Sequence, residues 1–495
     1  LVAAAGAQAA DLPVKAKPVE YVKVCSLYGA GFWYVPGTDT CLKIGSYVRV
    51  QTSYNAEGGG IPLGANDSGT ETAGRQTRTD TSNLAMRVRA AVSVDLRTQT
   101  EYGTLRSYLE IGQQLTTNNS AAVDSPFFDR GFIQFAGFTA GKIRSYFDIN
   151  SFAPYSYANS RISGDTGAAG IYGIAYTAQF GNGVTASLSF EDGGSGSNGN
   201  SAGSAGSRGH LVKDLNVAGS FNPATGTVTY DNRGWQYPDV VGALRIDQAW
   251  GYAQVAAALH DASGGYYTGP GVDACGTSAN CVTLGHPGTA TGWAVTGGFT
   301  LNNVLGLKGD QFGMQAAYAN GATGYVTRAT GPWVMYDGNT AGIAASNDGV
   351  YINGSGIELT TTWGINGFYQ HFWNPRWRTS LHGGYIETDF DNTAKSFYCP
   401  TGAGGNPVTG ISNVTIAGTG GTCNPDHSWW VVGTRTQWNP HPDLDIGLEV
   451  LWTHLNTAFK GGTITAAAGA QPPGAVIDDQ DVLSVYFRIQ RNFLP

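Results

Sequence analysis

The sequence contains no run of 18 apolar residues, and charged residues make up only 13% of its 495 positions. The first absence excludes a membrane-spanning helix. Methionine is also scarce, with three residues, whereas the chain holds 72 glycines and 12% aromatic residues. A chain this rich in residues typical of strands and turns is predicted to be an all-β protein.

Several functional classes are excluded by charge and by missing motifs. Lysine and arginine number 28 against 36 aspartate and glutamate residues, so the chain lacks the basic surface that nucleic acid requires. The sequence has no H-E-x-x-H motif and no close serine, histidine and aspartate grouping at catalytic spacing. A G-x-G-x-x-G match at 194–199 lies in a Gly/Ser-rich stretch without a βαβ unit. We therefore predict neither an enzyme nor a bound cofactor.

The beginning of the chain is typical of the end of a secretory signal peptide. Its first ten residues are small and apolar, Ala-Gln-Ala stands at 7–9, and Pro13 ends the apolar stretch. We predict that 1–9 is a signal-peptide remnant, with cleavage after Ala9. The alternative is a flexible N-terminus.

Six cysteines fall into three local pairs, none with C-x-x-C spacing or a histidine pair at metal-ligand spacing nearby. An even number of cysteines in an exported chain favours disulfides. The predicted bridges are Cys25–Cys41, Cys275–Cys281 and Cys399–Cys423. Reduced thiols in a cytosolic protein are the alternative.

Apolar and polar residues alternate with a period of two, which is the period of a β-strand. In 84–97, Leu84, Met86 and Val88 begin one face, while Arg87 and Arg89 lie on the other. Sixteen segments of this kind begin near residues 43, 82, 104, 129, 141, 171, 183, 238, 250, 291, 311, 355, 376, 427, 443 and 481.

The connections between these segments alternate strictly between short and long. Such alternation is typical of outer-membrane barrels, in which periplasmic turns are short and extracellular loops are long. A bilayer also requires a closed sheet with its apolar face toward lipid. We therefore predict a 16-stranded antiparallel transmembrane β-barrel over 43–495, preceded by an N-terminal segment over 10–42.

Three stretches near the N-terminus form a specific block: Pro-Val-Glu-Tyr-Val-Lys-Val-Cys at 18–25, Tyr-Gly-Ala-Gly-Phe at 28–32 and Pro-Gly-Thr-Asp-Thr-Cys-Leu-Lys-Ile-Gly at 36–45. Further blocks lie at 100–106, 132–138 and 245–251. In these residues the chain resembles the alphaproteobacterial porins of the rhizobial and brucella type. The resemblance implies a homotrimeric porin in the outer membrane of a Gram-negative bacterium, within a bilayer that carries lipopolysaccharide. It also implies passive diffusion of ions and small hydrophilic solutes.

The resemblance further implies that the third long loop, about 149–171, folds into the lumen and narrows it. Asp148 and Asp165 are then expected to supply acidic groups at the constriction, and Tyr155 and Tyr157 to shape it. The alternative is an ordinary surface loop whose carboxylates are satisfied in turns.

Opposite that loop, strand parity predicts a basic arc, because strand sixteen closes beside strand one. Its six inward-facing members are Arg49, Arg87, Arg89, Arg106, Arg435 and Arg488. Opposite charges across a narrow lumen create a transverse field that favours polar solutes. Solvated lumen charges without a selective role are the alternative. The net charge of −8 favours weak cation selectivity.

Other interpretations stay open at this point. A substrate-selective channel on the same barrel, for example for oligosaccharides, would carry a ladder of lumen aromatics, and no clear one occurs on the inward faces. A non-channel barrel and a secreted soluble β protein are further alternatives. Asp478, Asp479 and Asp481 offer oxygen ligands for weak calcium binding at the extracellular side, where solvated charges are the alternative.

Overall fold

A computed structural model describes residues 25–55, 84–117, 126–151, 154–158, 164–167, 170–192, 208–216, 221–222, 227–228, 231–234, 236–267, 284–327, 331–337, 340–399, 411, 414–415, 423–464 and 474–493. The predicted signal-peptide remnant at 1–9 and the pair Cys275 and Cys281 lie outside these residues.

Sixteen antiparallel strands form one closed barrel, in which each strand pairs with the next in the chain. They are β1 (Thr40–Tyr54), β2 (Leu84–Thr100), β3 (Gly103–Thr116), β4 (Pro126–Phe135), β5 (Phe138–Ile143), β6 (Ile171–Gly181), β7 (Val184–Asp192), β8 (Asp239–Gln248), β9 (Gly251–Asp261), β10 (Thr291–Asn302), β11 (Gln311–Asn320), β12 (Thr361–Asn374), β13 (Trp377–Asp389), β14 (His427–His441), β15 (Leu444–Asn456) and β16 (Gln480–Asn492). The β16–β1 pairing closes the sheet, with Arg488 opposite Gln51. The predicted 16-stranded barrel is confirmed.

Short turns join the strands at one end of the barrel and long loops at the other. Six of the seven turns have two residues, and the seventh spans 303–310. In the turn between β6 and β7, Asn182 and Gly183 have φ values of 48° and 74°, the left-handed conformation that a tight hairpin needs. The long loops, L1 to L8, are 55–83, 117–125, 144–170, 193–238, 262–290, 321–360, 390–426 and 457–479.

Fifteen strands begin within three residues of the predicted position, and one prediction is wrong by six. The strand expected from 355 begins at Thr361. Before it, Glu358–Leu359 pairs with Gly349–Tyr351 within L6, and Ile357 packs against a loop cluster. Apolar and polar residues also alternate in the loop strand Glu358–Leu359, and for this reason the predicted barrel strand begins too early.

The barrel turns its apolar face outward, as the parity argument predicts. On β2, the side chains of Leu84 and Met86 are exposed, with relative exposures of 57% and 45%, whereas Arg87 is 8% exposed. On β16, Leu483 and Phe487 are exposed and Ser484 is buried. Such a surface is unfavourable in water and favourable against lipid chains.

Folded segments cover the long-loop end. Val212–Asp214, Gly349–Tyr351 and Glu358–Leu359 form one small sheet. A second sheet joins strands of L6, L7 and L8, and the helix α1 (Asn392–Tyr398) lies in L7. The α1 helix begins after Asp391, whose side chain accepts a hydrogen bond from the Ala394 backbone N–H at 2.7 Å. None of the described helices is long and apolar enough to cross a membrane.

Two of the predicted disulfides are formed. Cys25 and Cys41 are bonded with a Cα–Cα distance of 5.6 Å, and Cys399 and Cys423 with 5.9 Å. The first ties 25–39 to the start of β1, where Trp33–Tyr34 pairs with Cys41 and Leu42. The described part of the N-terminal segment therefore lies at the turn end of the barrel.

Peptide mapping under non-reducing conditions is expected to recover Cys25–Cys41, Cys399–Cys423 and also Cys275–Cys281. The reason is that each pair is local in the sequence, so its bridge closes a short loop at small entropic cost. Thiol titration of the denatured protein should then find no free cysteine. Mixed pairing among the three sets, or two reactive thiols at 275 and 281, would contradict this prediction.

Candidate pore constriction

The described residues of the loop L3 leave the barrel sheet early and run inside the barrel along its inner wall. β5 is only six residues long, and the chain turns inward from Arg144 rather than from 149. On the inner wall, Gln254 Nε2 of β9 donates to the carbonyl oxygen of Tyr146 at 2.9 Å. Further along, the Asn150 backbone N–H donates to Gln315 Oε1 of β11 at 3.1 Å. The predicted folding of L3 into the lumen is confirmed.

Tyr155 fixes the middle of L3 against the next strands. Its ring stacks on Phe368 of β12, with ring centroids 3.5 Å apart. Its hydroxyl donates to Gln311 Oε1 at 3.1 Å, and its carbonyl accepts a hydrogen bond from Ser380 Oγ of β13 at 2.6 Å. This part of the loop therefore lines the wall instead of hanging free in the lumen.

The tip of L3, at 156–158, is held by one carboxylate. Glu449 of β15 is fully buried, and its Oε1 accepts a hydrogen bond from Ser156 Oγ at 2.6 Å. Its Oε2 accepts from the backbone N–H of Ala158 at 3.2 Å and from that of Tyr157. His382 Nε2 lies 3.1 Å from Oε1 of the same carboxylate. Glu449 is thus the main anchor of the tip.

Two of the predicted arc arginines also hold the tip. Arg488 Nη2 donates to the carbonyl oxygen of Tyr157 at 3.0 Å, and its guanidinium lies 4.1 Å from the centroid of the Tyr157 ring. Arg435 lies 5.0 Å from the same ring and donates to the Pro154 carbonyl. Burial raises the pKa of the Tyr157 hydroxyl above its ordinary value. Arg435 and Arg488 therefore act first as supports of L3.

Three other arginines form a continuous patch, here called the arginine wall: Arg49, Arg87 and Arg89. Arg49 of β1 is directly opposite Arg89 of β2. Two residues further along the same pair of strands, Arg87 is opposite Gln51. Arg89 pairs with Asp129 and donates to Tyr47 Oη at 2.9 Å, which fixes its side chain. The arginine wall is the next stretch of the barrel beyond the strands that hold the tip.

Arg106 lies apart from this patch. It sits opposite Arg97 near the turn end, and both guanidiniums pair with Asp95, at 2.9 and 2.8 Å. One carboxylate thus serves two arginines there. The six predicted arginines do face inward, but they divide into a wall, two loop supports and one member of a separate ion cluster.

Asp148 and Asp165 lie at the base of L3, not at its tip. Asp148 is paired with Arg208 of L4 at 2.5 Å and lies 3.5 Å from Arg144 Nε. Burial alone would raise the pKa of Asp148, but Arg208 and Arg144 outweigh it and hold that pKa below its usual value. Asp165 accepts from the Gly167 N–H at 2.7 Å. Both carboxylates therefore stabilise the base of L3.

Comparison with known proteins supplies the family. Residues 11–484 match the porin subfamily. The chain belongs to this family. Its relatives include porin Omp2a of Brucella melitensis, 35% identical over 251 residues, which cover 47% of this chain and 64% of that protein. Porin Omp2b of Brucella abortus is 35% identical over 261 residues, covering 51% of this chain and 60% of that protein. The matched part thus spans less than two thirds of the length of either relative.

The fold of this porin is shared with a solved outer-membrane channel. DcaP of Acinetobacter baumannii has a TM-score of 0.57 at 14% identity, over 93% of this chain and 99% of that one. The family and the closed barrel place the porin in the outer membrane of a Gram-negative bacterium, which confirms the predicted location. Membership in this family indicates a channel rather than an enzyme.

Sequence reasoning did not identify two residues on which L3 of the porin depends. Glu449 lies on the polar face of β15, and nothing local in the sequence connects it to a loop almost 300 positions away. Arg208 is fully buried against L3 although it follows a Gly/Ser-rich stretch. Nothing in the sequence around this single arginine indicates that it contacts L3.

The acidic residues near β16 of the porin contact other side chains of the same chain. Asp478 and Asp479 both pair with Lys460, at 3.0 Å for Asp478, and this pairing lowers the pKa of Asp478. Asp481 accepts from Trp452 Nε1 at 2.9 Å and lies 2.8 Å from His454 Nδ1. These carboxylates therefore point to different partners instead of converging on one position.

Proposed function

We propose that this porin forms a water-filled channel through which ions and small hydrophilic solutes diffuse passively across the outer membrane. The observation that carries the proposal is the path of L3, anchored along the inner wall from β9 to β16. A barrel of sixteen strands is wide enough to enclose water. We infer that an inward loop held against one side of the wall narrows this lumen and leaves a passage beside it.

The ten predicted constriction residues keep a place in this proposal, with different roles. Arg49, Arg87 and Arg89 form the basic side of the passage, and the buried rings of Tyr155 and Tyr157 pack the loop against the wall. Arg435 and Arg488 support the loop tip, and Asp148 and Asp165 support its base. Arg106 contributes to an ion cluster nearer the turn end. Weak cation preference remains the expectation from the net charge of −8.

Planar-bilayer recording of the detergent-purified protein tests this function. We expect stepwise, ohmic currents in multiples of three, because we propose a homotrimer of open pores. Correct folding is checked by the heat-dependent shift in electrophoretic mobility. Absence of conductance from protein that passes this check would overturn the diffusion channel. Steps without threefold grouping would overturn only the trimer.

The partners of the folded protein follow from its surface. The exposed apolar residues of β2 and β16 face lipid chains, and we propose that the long-loop end contacts lipopolysaccharide, as an outer leaflet would require. Chemical cross-linking in native outer membranes should give a trimer ladder.

A substrate-selective channel is the second candidate, favoured by the folded cover at the long-loop end. Arg208 and Tyr325 are fully buried there, so the described residues around them in L4 and L6 are packed at this end of the barrel. Liposome swelling with a size series of sugars separates the candidates. Rates that fall smoothly with solute size fit the diffusion channel, whereas one saturable solute class fits the selective one.

A further inference from the structure

Two histidines and two aspartates meet, buried, where L4 and L6 enter the mouth of the barrel. His260 lies on β9 and Asp239 on β8, while His210 belongs to L4 and Asp348 to L6. Their relative exposures lie between 0% and 4%. Neither the proposed channel nor its constriction uses this group, so its presence needs a separate explanation.

The ring of His260 is bracketed by carboxylates. Its Nδ1 lies 2.8 Å from Asp239 Oδ2, and its Nε2 lies 3.3 Å from Asp348 Oδ2. Ionised carboxylates only accept hydrogen bonds, so both ring nitrogens carry protons in this arrangement. The ring of His260 therefore bridges two carboxyl groups in a buried position.

Both carboxylates are fixed by other donors. Tyr325 Oη donates to Asp239 Oδ2 at 2.7 Å. The backbone N–H groups of Leu211 and Thr323 each donate to Asp348 at 2.7 Å. The two acceptors are therefore preorganised, and they cannot turn away to solvent.

His210 completes the group and is itself incompletely satisfied. Its ring meets the His260 ring edge-on, with centroids 4.8 Å apart. The Nδ1 atom of His210 is buried and makes no hydrogen bond within the part of the chain that the structure describes. Ligand atoms of His210, Asp239 and His260 all lie within 4.8 Å of one another. Buried polar atoms are rarely left without a partner, so an orphaned nitrogen beside such a cluster points to a ligand.

We propose that His210, His260 and Asp239 bind a divalent transition-metal ion, with Zn²⁺ as the best match. Two imidazoles and one carboxylate form a ligand set that suits zinc and its neighbours better than calcium or magnesium. The ion takes the place of the Nδ1 proton of His260, and this proton leaves to solvent. Charge then balances, because two carboxylates face one doubly charged ion.

Asp348 takes the outer position in this arrangement. It accepts the remaining Nε2 proton of His260, which is the usual carboxylate–histidine–metal order and fixes the ring orientation. Asp261, also buried nearby, is held instead by Arg233 at 2.9 Å. Because His210 is the ligand that belongs to a loop, closing the site draws L4 toward the wall formed by β8 and β9.

Metal content of untagged protein tests the site. The protein is refolded with and without Zn²⁺ or Co²⁺, since the ligands are buried, then dialysed and analysed for metal per chain. We expect one ion per chain in the wild type and in His441→Ala, which removes an exposed histidine at the turn end. The variant His210→Ala should retain none, and bound Co²⁺ should show the visible absorption of a site with nitrogen ligands.

Two further variants keep the test decisive if His210→Ala fails to fold. His210→Gln keeps a polar side chain of similar length and should also lose the metal. Asp348→Asn should weaken the affinity about 10- to 100-fold, as loss of an outer carboxylate does elsewhere. A folded wild type without retained metal, or folded His210 variants that bind like the wild type, would overturn the proposal. None of these readouts depends on channel activity.

Discussion

Replacing Glu449 with alanine should release the tip of L3 and raise the single-channel conductance several-fold, with added current noise. The carboxylate of Glu449 accepts hydrogen bonds from Ser156, Tyr157 and Ala158 in a fully buried position. Each buried donor left without its acceptor costs about 1–3 kcal/mol, and each 1.4 kcal/mol changes an equilibrium tenfold. That is enough to make the displaced tip the main state.

The matched control is Glu110→Ala. Glu110 lies on β3 and accepts a hydrogen bond from Tyr108 of the same strand at 3.1 Å. The substitution therefore removes a carboxylate that does not contact the tip of L3. Its conductance should stay near the wild-type value. Glu449→Gln keeps acceptor atoms in place and should have an intermediate effect. Wild-type conductance in folded Glu449→Ala protein would show that the tip of L3 does not limit the passage.

Neutralising the arginine wall should shift ion selectivity strongly toward cations. In the double variant Arg87→Gln/Arg89→Gln, two positive charges leave a patch that Arg49 shares. The field of the wall then weakens, while the acidic groups elsewhere on the chain remain. Reversal potentials under a salt gradient should give a cation-to-anion permeability ratio several-fold above that of the wild type.

Salt concentration and a charge-matched control make this measurement specific. The gradient should stay at low ionic strength, because the screening length falls from about 10 Å at 0.1 M salt to about 3 Å at 1 M. Lys308→Gln/Arg376→Gln removes the same charge from exposed turns outside the lumen and should leave selectivity nearly unchanged. Equal shifts in both double variants would mean that net charge, not the arginine wall, sets selectivity.

The barrel itself could be predicted from the sequence because its signals are local. Lipid outside and water inside force a period of two on every strand, and a two-sided membrane separates short turns from long loops. The period of two is visible within about ten residues of chain, and the alternation of short and long connections follows once the strands are located. Disulfides at Cys25–Cys41 and Cys399–Cys423 were predictable for the same reason, since their partners are near each other in sequence.

Strand parity predicts which face of the sheet each side chain lies on, but not what that side chain contacts. It placed Arg49, Arg435 and Arg488 in the lumen, but it could not say which of them would meet L3. The six-arginine arc therefore separated into different groups once the contacts were known. In the same way, the period of two before Thr361 could not show that Ile357 packs within the loop cover.

What only the tertiary structure decided are the contacts between distant parts of the chain. Glu449 holds 156–158, Arg208 pairs with Asp148, and His210 meets His260. Closing a barrel and folding its loops inward brings these groups together across tens to hundreds of positions. Burial then makes each of them strong, because a charge removed from water must find its partner inside the protein. The sequence alone determined the wall of this porin, whereas the buried contacts of its loops determined the interior of the barrel.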